Sequence, residues 1–255
     1  MSTINEQKTV AELVTERPDR TRIFERLGID YCCGGRKTLA QACQEKGLDV
    51  RTVVATLQAV EEAAEAQTRA GVGAEAETEA EAEAGATGWT AASLAELCDH
   101  IVATHHRYLY EELPRLEALL ARVVEVHEER HPELLEVQGV FGGLRDELVS
   151  HLMKEEQVLF PTIRELETRG QESSGFRLGS LVNPIRVMEM EHESAGQALA
   201  KMRELTGGYA PPADACNSYR ALLTALAWLE QDLHMHIHKE NNILFPRALA
   251  AEQGQ

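Results

Sequence analysis

The sequence has few aromatic residues, which make up 5% of its 255 positions, and it lacks segments that alternate Val, Ile, Tyr and Thr as β-strands do. Ala, Leu and Glu are abundant instead, and these residues favour helices. The composition therefore predicts an all-α fold and argues against a sheet-based one.

Targeting and membrane signals are also missing. The N-terminal segment MSTINEQKTVAELV has neither the basic region nor the apolar core of a signal peptide. No apolar run approaches the ~20 residues that a membrane-spanning helix needs. The five cysteines, two of them adjacent, do not form the pattern of a disulfide framework. We therefore expect a cytoplasmic protein with no membrane partner.

The formal charge of −17 argues against a nucleic-acid-binding protein, since no basic stripe is present to neutralise phosphates. Part of this charge lies in residues 61–88, a low-complexity stretch rich in Ala and Glu that is typical of a solvated linker. The expected organisation is thus a small helical domain at 1–60, an acidic linker at 61–88 and a larger helical domain at 89–252.

The N-terminal domain is predicted from a few local signals. Thr9 and Glu12 have the spacing of a capping box, and Gly28 ends the apolar pattern that follows. A Tyr-Cys-Cys-Gly-Gly turn comes next, at residues 31–35, and a second helical stretch follows it. The adjacent thiols of Cys32 and Cys33 form a disulfide only with strain and chelate one ion poorly.

Four long helical stretches are predicted beyond the linker. The third is expected to begin at Asn183, a good N-cap followed by a proline. Helices of this length with short connections favour an up-down four-helix bundle. The predicted stretches are Ser93 to about His127, about Pro132 to Leu166, Asn183 to Gly207, and about Asp214 to Ala250.

An eleven-residue segment occurs twice in the bundle. His151–Pro161 reads HLMKEEQVLFP, and His236–Pro246 reads HIHKENNILFP, 85 residues later. Helical residues four apart lie on one face. Each copy therefore directs one imidazole and one carboxylate the same way, which pairs His151 with Glu155 and His236 with Glu240.

The other two helices carry histidines at matching spacings. His106 lies 45 residues before His151, and His192 lies 44 before His236. The second half of the bundle thus repeats the first, and a pseudo-two-fold axis would bring four histidines and two glutamates together. Imidazole with carboxylate suits iron, and two irons about 3.5–4 Å apart need bridging carboxylates. We expect two iron ions per chain, joined also by a solvent-derived oxo or hydroxo bridge.

The first helix offers more than one histidine to this site. Val102, Leu109 and Leu113 place His106 on the apolar face, whereas His105 fits that face less cleanly. The remaining histidines are expected at the surface, and the three isolated cysteines are expected to be small buried residues. These are His100, His127, His131, His234 and His238, and Cys43, Cys98 and Cys216.

Taken together, the paired-cysteine turn and the bundle motifs HLMKEEQVLFP, EMEHES and HIHKENNILFP resemble the iron-sulfur cluster repair di-iron proteins, the RIC family. In that family a small N-terminal domain is joined to a hemerythrin-like bundle, and the resemblance covers nearly the whole chain except the acidic linker. It implies that Cys32 and Cys33 are the family's paired cysteines and that Glu191 guides ions or protons near the site. The metal ligands it implies are His106, His151, Glu155, His192, His236 and Glu240.

The resemblance also implies the function. The protein is expected to repair iron-sulfur clusters damaged by nitrosative or oxidative stress by supplying iron. Expected partners are damaged iron-sulfur proteins or their assembly scaffolds, and small gases such as nitric oxide. A homodimer is a further possibility that the sequence leaves open. The alternative is a di-iron protein that binds or reduces nitric oxide or dioxygen. Only in that case would the chain be an enzyme, of nitric oxide reductase type, and no catalytic residue is assigned.

Overall fold

The computed structural model describes residues 4–69, 87–169 and 180–254, and it divides into two compact units, Met1–Ser93 and Leu94–Gln255. The described residues form helices and no strand; Thr9 and Thr38 make one isolated bridge. The all-α prediction is therefore confirmed. None of the described helices is both long and apolar enough to cross a membrane.

The described residues of the first unit form five α-helices and a short 3-10 helix, Pro18–Arg20. The α-helices are α1 (Val10–Glu16), α2 (Thr21–Leu27), α3 (Leu39–Glu45), α4 (Val50–Arg69) and α5 (Thr87–Ala91). The capping box at Thr9 and Glu12 is present, and Thr38 with Gln41 forms a second one at the start of α3. Gly28 ends α2 with φ of 65°, a left-handed conformation that favours glycine.

Part of the acidic segment is structured. Helix α4 continues through Glu61 to Arg69, and the buried guanidinium of Arg20 donates to Glu61 Oε1 at 2.8 Å and to the carbonyl of Leu13 at 2.9 Å. Glu61 thus belongs to the packing of the first unit, where a solvated linker was expected. Residues 70–86 of the predicted linker lie outside the described residues.

The second unit contains four long helical segments, as expected. Contacts link the first segment to the second, the second to the third, the third to the fourth and the fourth to the first, which closes a four-helix bundle. All four contribute leucines to one core, including Leu113, Leu144, Leu199 and Leu226. The segments are α6 with α7 (Leu94–Ile101, Arg107–His127), α8 with α9 (Glu133–Lys154, Phe160–Arg169), α10 (Val182–Leu205), and α11 with α12 (Asn217–Lys239, Phe245–Glu252).

Three of the four segments contain a π-helical turn, in which one extra residue widens the helix. These turns are Val102–His106, Glu155–Leu159 and Glu240–Leu244. The last two occupy equivalent places in the repeat, directly before Phe-Pro. Because proline has no N–H, the backbone bonding of a regular helix is already interrupted there. Pro161 and Pro246 can therefore lie within helical segments that continue past them without a break.

The N-terminal ends of two segments are capped by glutamates from other helices. The amides of Leu94 and Ala95 donate to Glu167 at 2.8 and 2.9 Å, and the amide of Leu181 donates to Glu252 at 2.8 Å. The two glutamates are 85 residues apart, so the repeat extends beyond its eleven residues.

Two local predictions were wrong. The third segment begins at Val182, and not at an Asn183 cap. The reason is that Ser180 Oγ accepts from the Val182 amide and Glu252 accepts from the Leu181 amide, so the helix is already capped before Asn183. Cys216 is exposed where a buried cysteine was expected, since it is the N-cap of α11, whereas Cys43 and Cys98 are buried.

Candidate metal centre

The repeat and the single histidines converge inside the bundle. Two sets of four side chains place one ligand atom each within 4.8 Å of one another, and both sets contain Glu155 and Glu240. Site 1 is His106, Glu155, His236 and Glu240; site 2 is His151, Glu155, His192 and Glu240. All six side chains predicted as ligands are thus brought together, two histidines to a site, with the two glutamates shared.

The local geometry follows from the helices that carry these residues. Within each repeat the four-residue spacing brings imidazole and carboxylate together: His151 Nε2 lies 3.4 Å from Glu155 Oε2, and His236 Nε2 lies 3.0 Å from Glu240 Oε1. The single histidines reach across the bundle, with His106 Nε2 3.3 Å from Glu155 Oε2 and His192 Nε2 3.1 Å from Glu240 Oε2.

The Leu-Phe-Pro part of each repeat also has a role at the site. The ring of Phe160 stacks on His106 with centroids 5.6 Å apart, and Phe245 stacks on His192 at 6.0 Å. Each repeat therefore supplies one histidine and one glutamate, and an aromatic ring that fixes the histidine of the other helix.

The carboxylate of Glu240 stays charged inside the bundle because imidazoles face it. Both glutamates are fully buried. Burial by itself raises the pKa of a carboxyl group, but the imidazoles of His236 and His192 hold the pKa of Glu240 well below its usual range. Burial likewise opposes protonation of His192, yet hydrogen bonding to Glu240 and the nearby carboxylate charges raise its pKa to about 9.

Both oxygens of Glu155 are buried without a hydrogen-bond partner among the described residues, although the imidazoles of His106 and His151 lie 3.3 and 3.4 Å from Oε2. A buried carboxylate without partners is strongly destabilising unless a cation or hydrogen-bond donors compensate it. The donor set of four imidazoles and two carboxylates fits two iron ions, with the glutamates as shared ligands and the histidines as terminal ones.

The remaining ring nitrogens of three ligands contact side chains that surround the site. His106 Nδ1 lies 2.8 Å from Glu156 Oε1, His151 Nδ1 lies 2.9 Å from Glu191 Oε2, and His192 Nδ1 lies 2.8 Å from Asn241 Oδ1. Glu191 is therefore next to the site, where the resemblance places it. Glu156 and Asn241 were missed, although each directly follows the glutamate of its repeat.

None of the five histidines expected at the surface is fully exposed. His127 and His238 are buried, and His100, His131 and His234 are half-buried. His127 Nε2 lies 3.2 Å from Cys216 Sγ, and His238 Nδ1 lies 3.2 Å from Asn242 Nδ2. None of the five contributes to either set of ligand atoms.

The paired cysteines belong to the first unit. Asp30 organises their turn, since its carboxylate accepts from the amides of Cys32, Cys33 and Gly34 at 2.9, 3.0 and 2.8 Å. Cys32 is buried, and its contact with Cys33 together with burial raises the pKa of its thiol well above the usual range. The two sulfurs are 3.9 Å apart and form no disulfide. Cys33 is the more exposed of the two thiols.

A small cavity of about 10 Å³ adjoins the candidate metal centre. Apolar side chains such as Leu144 and Leu148 line it together with His151 and His192 of site 2 and His236 of site 1. A volume of this size holds about one water-sized molecule.

Two family models match different parts of the chain. Residues 98–248 match the family described as the hemerythrin HHE cation binding domain, and residues 6–61 match ScdA_N, described only as a domain of unknown function. A protein of Haemophilus influenzae named "Probable iron-sulfur cluster repair protein" is 37% identical over 95% of this chain and 97% of its own length. The "Iron-sulfur cluster repair protein YtfE" of Escherichia coli K12 and that of Shigella boydii are each 36% identical over the same shares.

Proposed function

Because this chain belongs to the family of iron-sulfur cluster repair proteins with a hemerythrin cation binding domain, we propose that it holds two iron ions and supplies iron to damaged clusters. The clients are iron-sulfur proteins, or their assembly scaffolds, damaged by nitrosative or oxidative stress in the cytoplasm. Bound iron is then a transferable cargo, and a solvent-derived oxo or hydroxo bridge completes its coordination.

The observation that supports this proposal most directly is the sharing of Glu155 and Glu240 between two buried sets of ligand atoms. Two carboxylates for two divalent cations neutralise only part of the cationic charge, and the other four ligands are imidazoles. A site of this kind holds iron less firmly than a carboxylate-rich one, which is compatible with release.

The turn of the first unit is proposed as the part that meets the client. The more exposed thiol of Cys33 contacts the client or receives iron, while Cys32, buried beside Asp30, stays protonated and fixes the turn. Glu191, which accepts from both His151 and Lys154, is proposed to guide ions or protons between solvent and site 2.

The test is transfer of labelled iron. The full-length protein is loaded with ⁵⁵Fe and mixed with an iron-sulfur enzyme whose cluster has been damaged by nitric oxide, and label and activity in the client are followed. We expect both to rise with the native protein and with His131→Ala, a histidine outside both ligand sets. The double variant His151→Ala, His236→Ala is expected to restore neither. Equal restoration by the double variant would exclude donation from this centre.

A second candidate function follows from the cavity beside His192. Its apolar lining and small volume suit a diatomic gas, so the alternative is a protein that binds nitric oxide or dioxygen, or reduces nitric oxide. Under the alternative, a spectral change with gas is rapid and reversible and iron per chain stays constant. Loss of iron to a client distinguishes the proposed function from it.

A further inference from the structure

A histidine that binds a metal through one ring nitrogen usually donates its other N–H to a nearby acceptor, which orients the ring and makes it a better ligand. Three of the four proposed ligand imidazoles have such an acceptor: Glu156 for His106, Glu191 for His151 and Asn241 for His192. Both histidines of site 2 are therefore supported, and one of site 1.

His236 is the exception. Its Nδ1 is buried and has no hydrogen-bond partner among the residues that the structure describes. The ring of His105 stacks on the face of His236, with centroids 5.2 Å apart and planes 6° from parallel. Because a hydrogen bond from Nδ1 lies in the plane of the His236 ring, the parallel ring of His105 offers it no acceptor atom.

His105 cannot turn to supply one, because both of its nitrogens are engaged. Lys239 Nζ donates to His105 Nε2 at 2.9 Å, so Nδ1 carries the proton and donates to Asp232 Oδ1 at 2.8 Å. The same ammonium donates to His100 Nε2 at 2.7 Å. The network thus holds His105 in place and brings a cationic side chain to the same side of the centre.

The internal repeat identifies position 105 as the source of the difference. Glu191 directly precedes His192 and accepts from His151, the repeat histidine of the other half. The equivalent residue on the first helix directly precedes His106, and it is His105, packed against the equivalent repeat histidine, His236. Where one half of the bundle has a carboxylate acceptor, the other has a neutral ring.

We infer that the two metal positions are unequal: the ion of site 1 is held more weakly and leaves first, and His105 sets the difference as a positioning residue. The inference rests on the proposed function, since both sites must hold an ion. Loss of the acceptor that binds the second N–H of a ligand histidine weakens metal binding by about 10–100-fold. Release of the two ions should therefore proceed in two well-separated phases.

The direct test locates the remaining ion. Crystals of the full-length protein loaded with two irons are treated with a limited amount of a ferrous chelator, and anomalous scattering at the iron edge is measured at each position. We expect the peak beside His106 and His236 to fall first while the peak beside His151 and His192 persists. Equal loss, or earlier loss at site 2, would overturn the inference.

A matched pair of variants tests the assigned cause through the rates of iron release to the chelator. His105→Glu places an acceptor where Glu191 stands in the other half, and it is expected to slow the fast phase about 10–100-fold. Asn241→Leu removes the acceptor of His192, and it is expected to accelerate the slow phase by about the same factor.

Circular dichroism of the metal-free variants checks that each folds. If His105→Glu does not fold, the release rates of Asn241→Leu test the inference alone. A fast phase unchanged in folded His105→Glu, or a slow phase unchanged in Asn241→Leu, contradicts the inference. The chelator assay involves no client. Ordered release without client repair therefore counts against the proposed function alone, and repair with equal release counts against the unequal sites alone.

Discussion

The two units of this chain use buried polar groups in opposite ways. In the first unit the buried guanidinium of Arg20 is paired with Glu61, so that these two groups satisfy each other and stabilise the fold that contains them. In the second unit Glu155 is fully buried, and neither of its oxygens has a hydrogen-bond partner among the described residues. The buried polar groups of the bundle centre are thus arranged around a place for a cation, whereas those of the first unit bind one another.

The largest expected effect separates the units. Phe24 is fully buried in the first unit, and Phe24→Ala is expected to destabilise that unit by about 3–5 kcal/mol. All six proposed ligands lie in the second unit, so iron per chain should not change. Calorimetry and iron analysis of the same sample measure both quantities. Loss of iron from the variant would show that the bundle centre depends on the first unit.

Metal removal is the converse experiment. Iron that binds only the folded bundle at 1,000 times its dissociation constant stabilises it by about 4 kcal/mol. Chelation should therefore lower the unfolding temperature of the second unit, while the transition of the first unit stays in place. Differential scanning calorimetry with and without chelator measures this effect, and a shift of both transitions together would contradict it.

Glu155→Leu should destabilise the metal-free bundle. His106 Nε2 and His151 Nε2 lie 3.3 and 3.4 Å from Glu155 Oε2, and removing one partner of a buried ion pair costs about 3–5 kcal/mol. The variant should also lose both ions, because Glu155 belongs to both sites. Glu156→Leu is the matched control: its carboxylate is partly exposed, so a smaller loss of stability is expected. Denaturant unfolding of the metal-free proteins measures the change, and unchanged stability of Glu155→Leu would contradict our account of the centre.

Asp30→Ala should have the smallest effect. It leaves the amides of Cys32, Cys33 and Gly34 without their acceptor, and because these bonds are largely exposed, a loss of about 0.5–1.5 kcal/mol in the stability of the first unit is expected. Asp30→Asn keeps one acceptor oxygen and should lose less. Denaturant unfolding of the full chain measures the change, with iron content as the control that should remain constant.

Much of the bundle could be predicted because its signals are local. The four-residue spacing within each repeat fixes imidazole and carboxylate on one helix face whatever surrounds them, and the spacing between halves pointed to His106 and His192. The apolar stripe through Val102 and Leu109 likewise pointed to the correct face of the first helix. These inferences need only helix periodicity.

Other features depend on which elements meet. Helix periodicity gives the direction of a side chain and not the neighbour that covers it, so His127 and His238 were expected at the surface although other residues bury them. The same limit applies to helix starts, since the amides of Leu94 and Leu181 are held by glutamates more than 70 residues away.

The sequence by itself determined the all-α class and the repeated histidine–glutamate pairs, because both follow from composition and from spacing along a helix, and with the family resemblance it pointed to the six candidate ligands. Only the tertiary structure decided how those ligands divide into two sites, and that His236 stacks on His105 while His151 donates to Glu191. The physical reason is that the hydrogen bond between the second ring nitrogen of a ligand histidine and its acceptor joins two helices. The geometry of that bond depends on how the helices pack, and one residue type at position 105 or 191 is enough to change it.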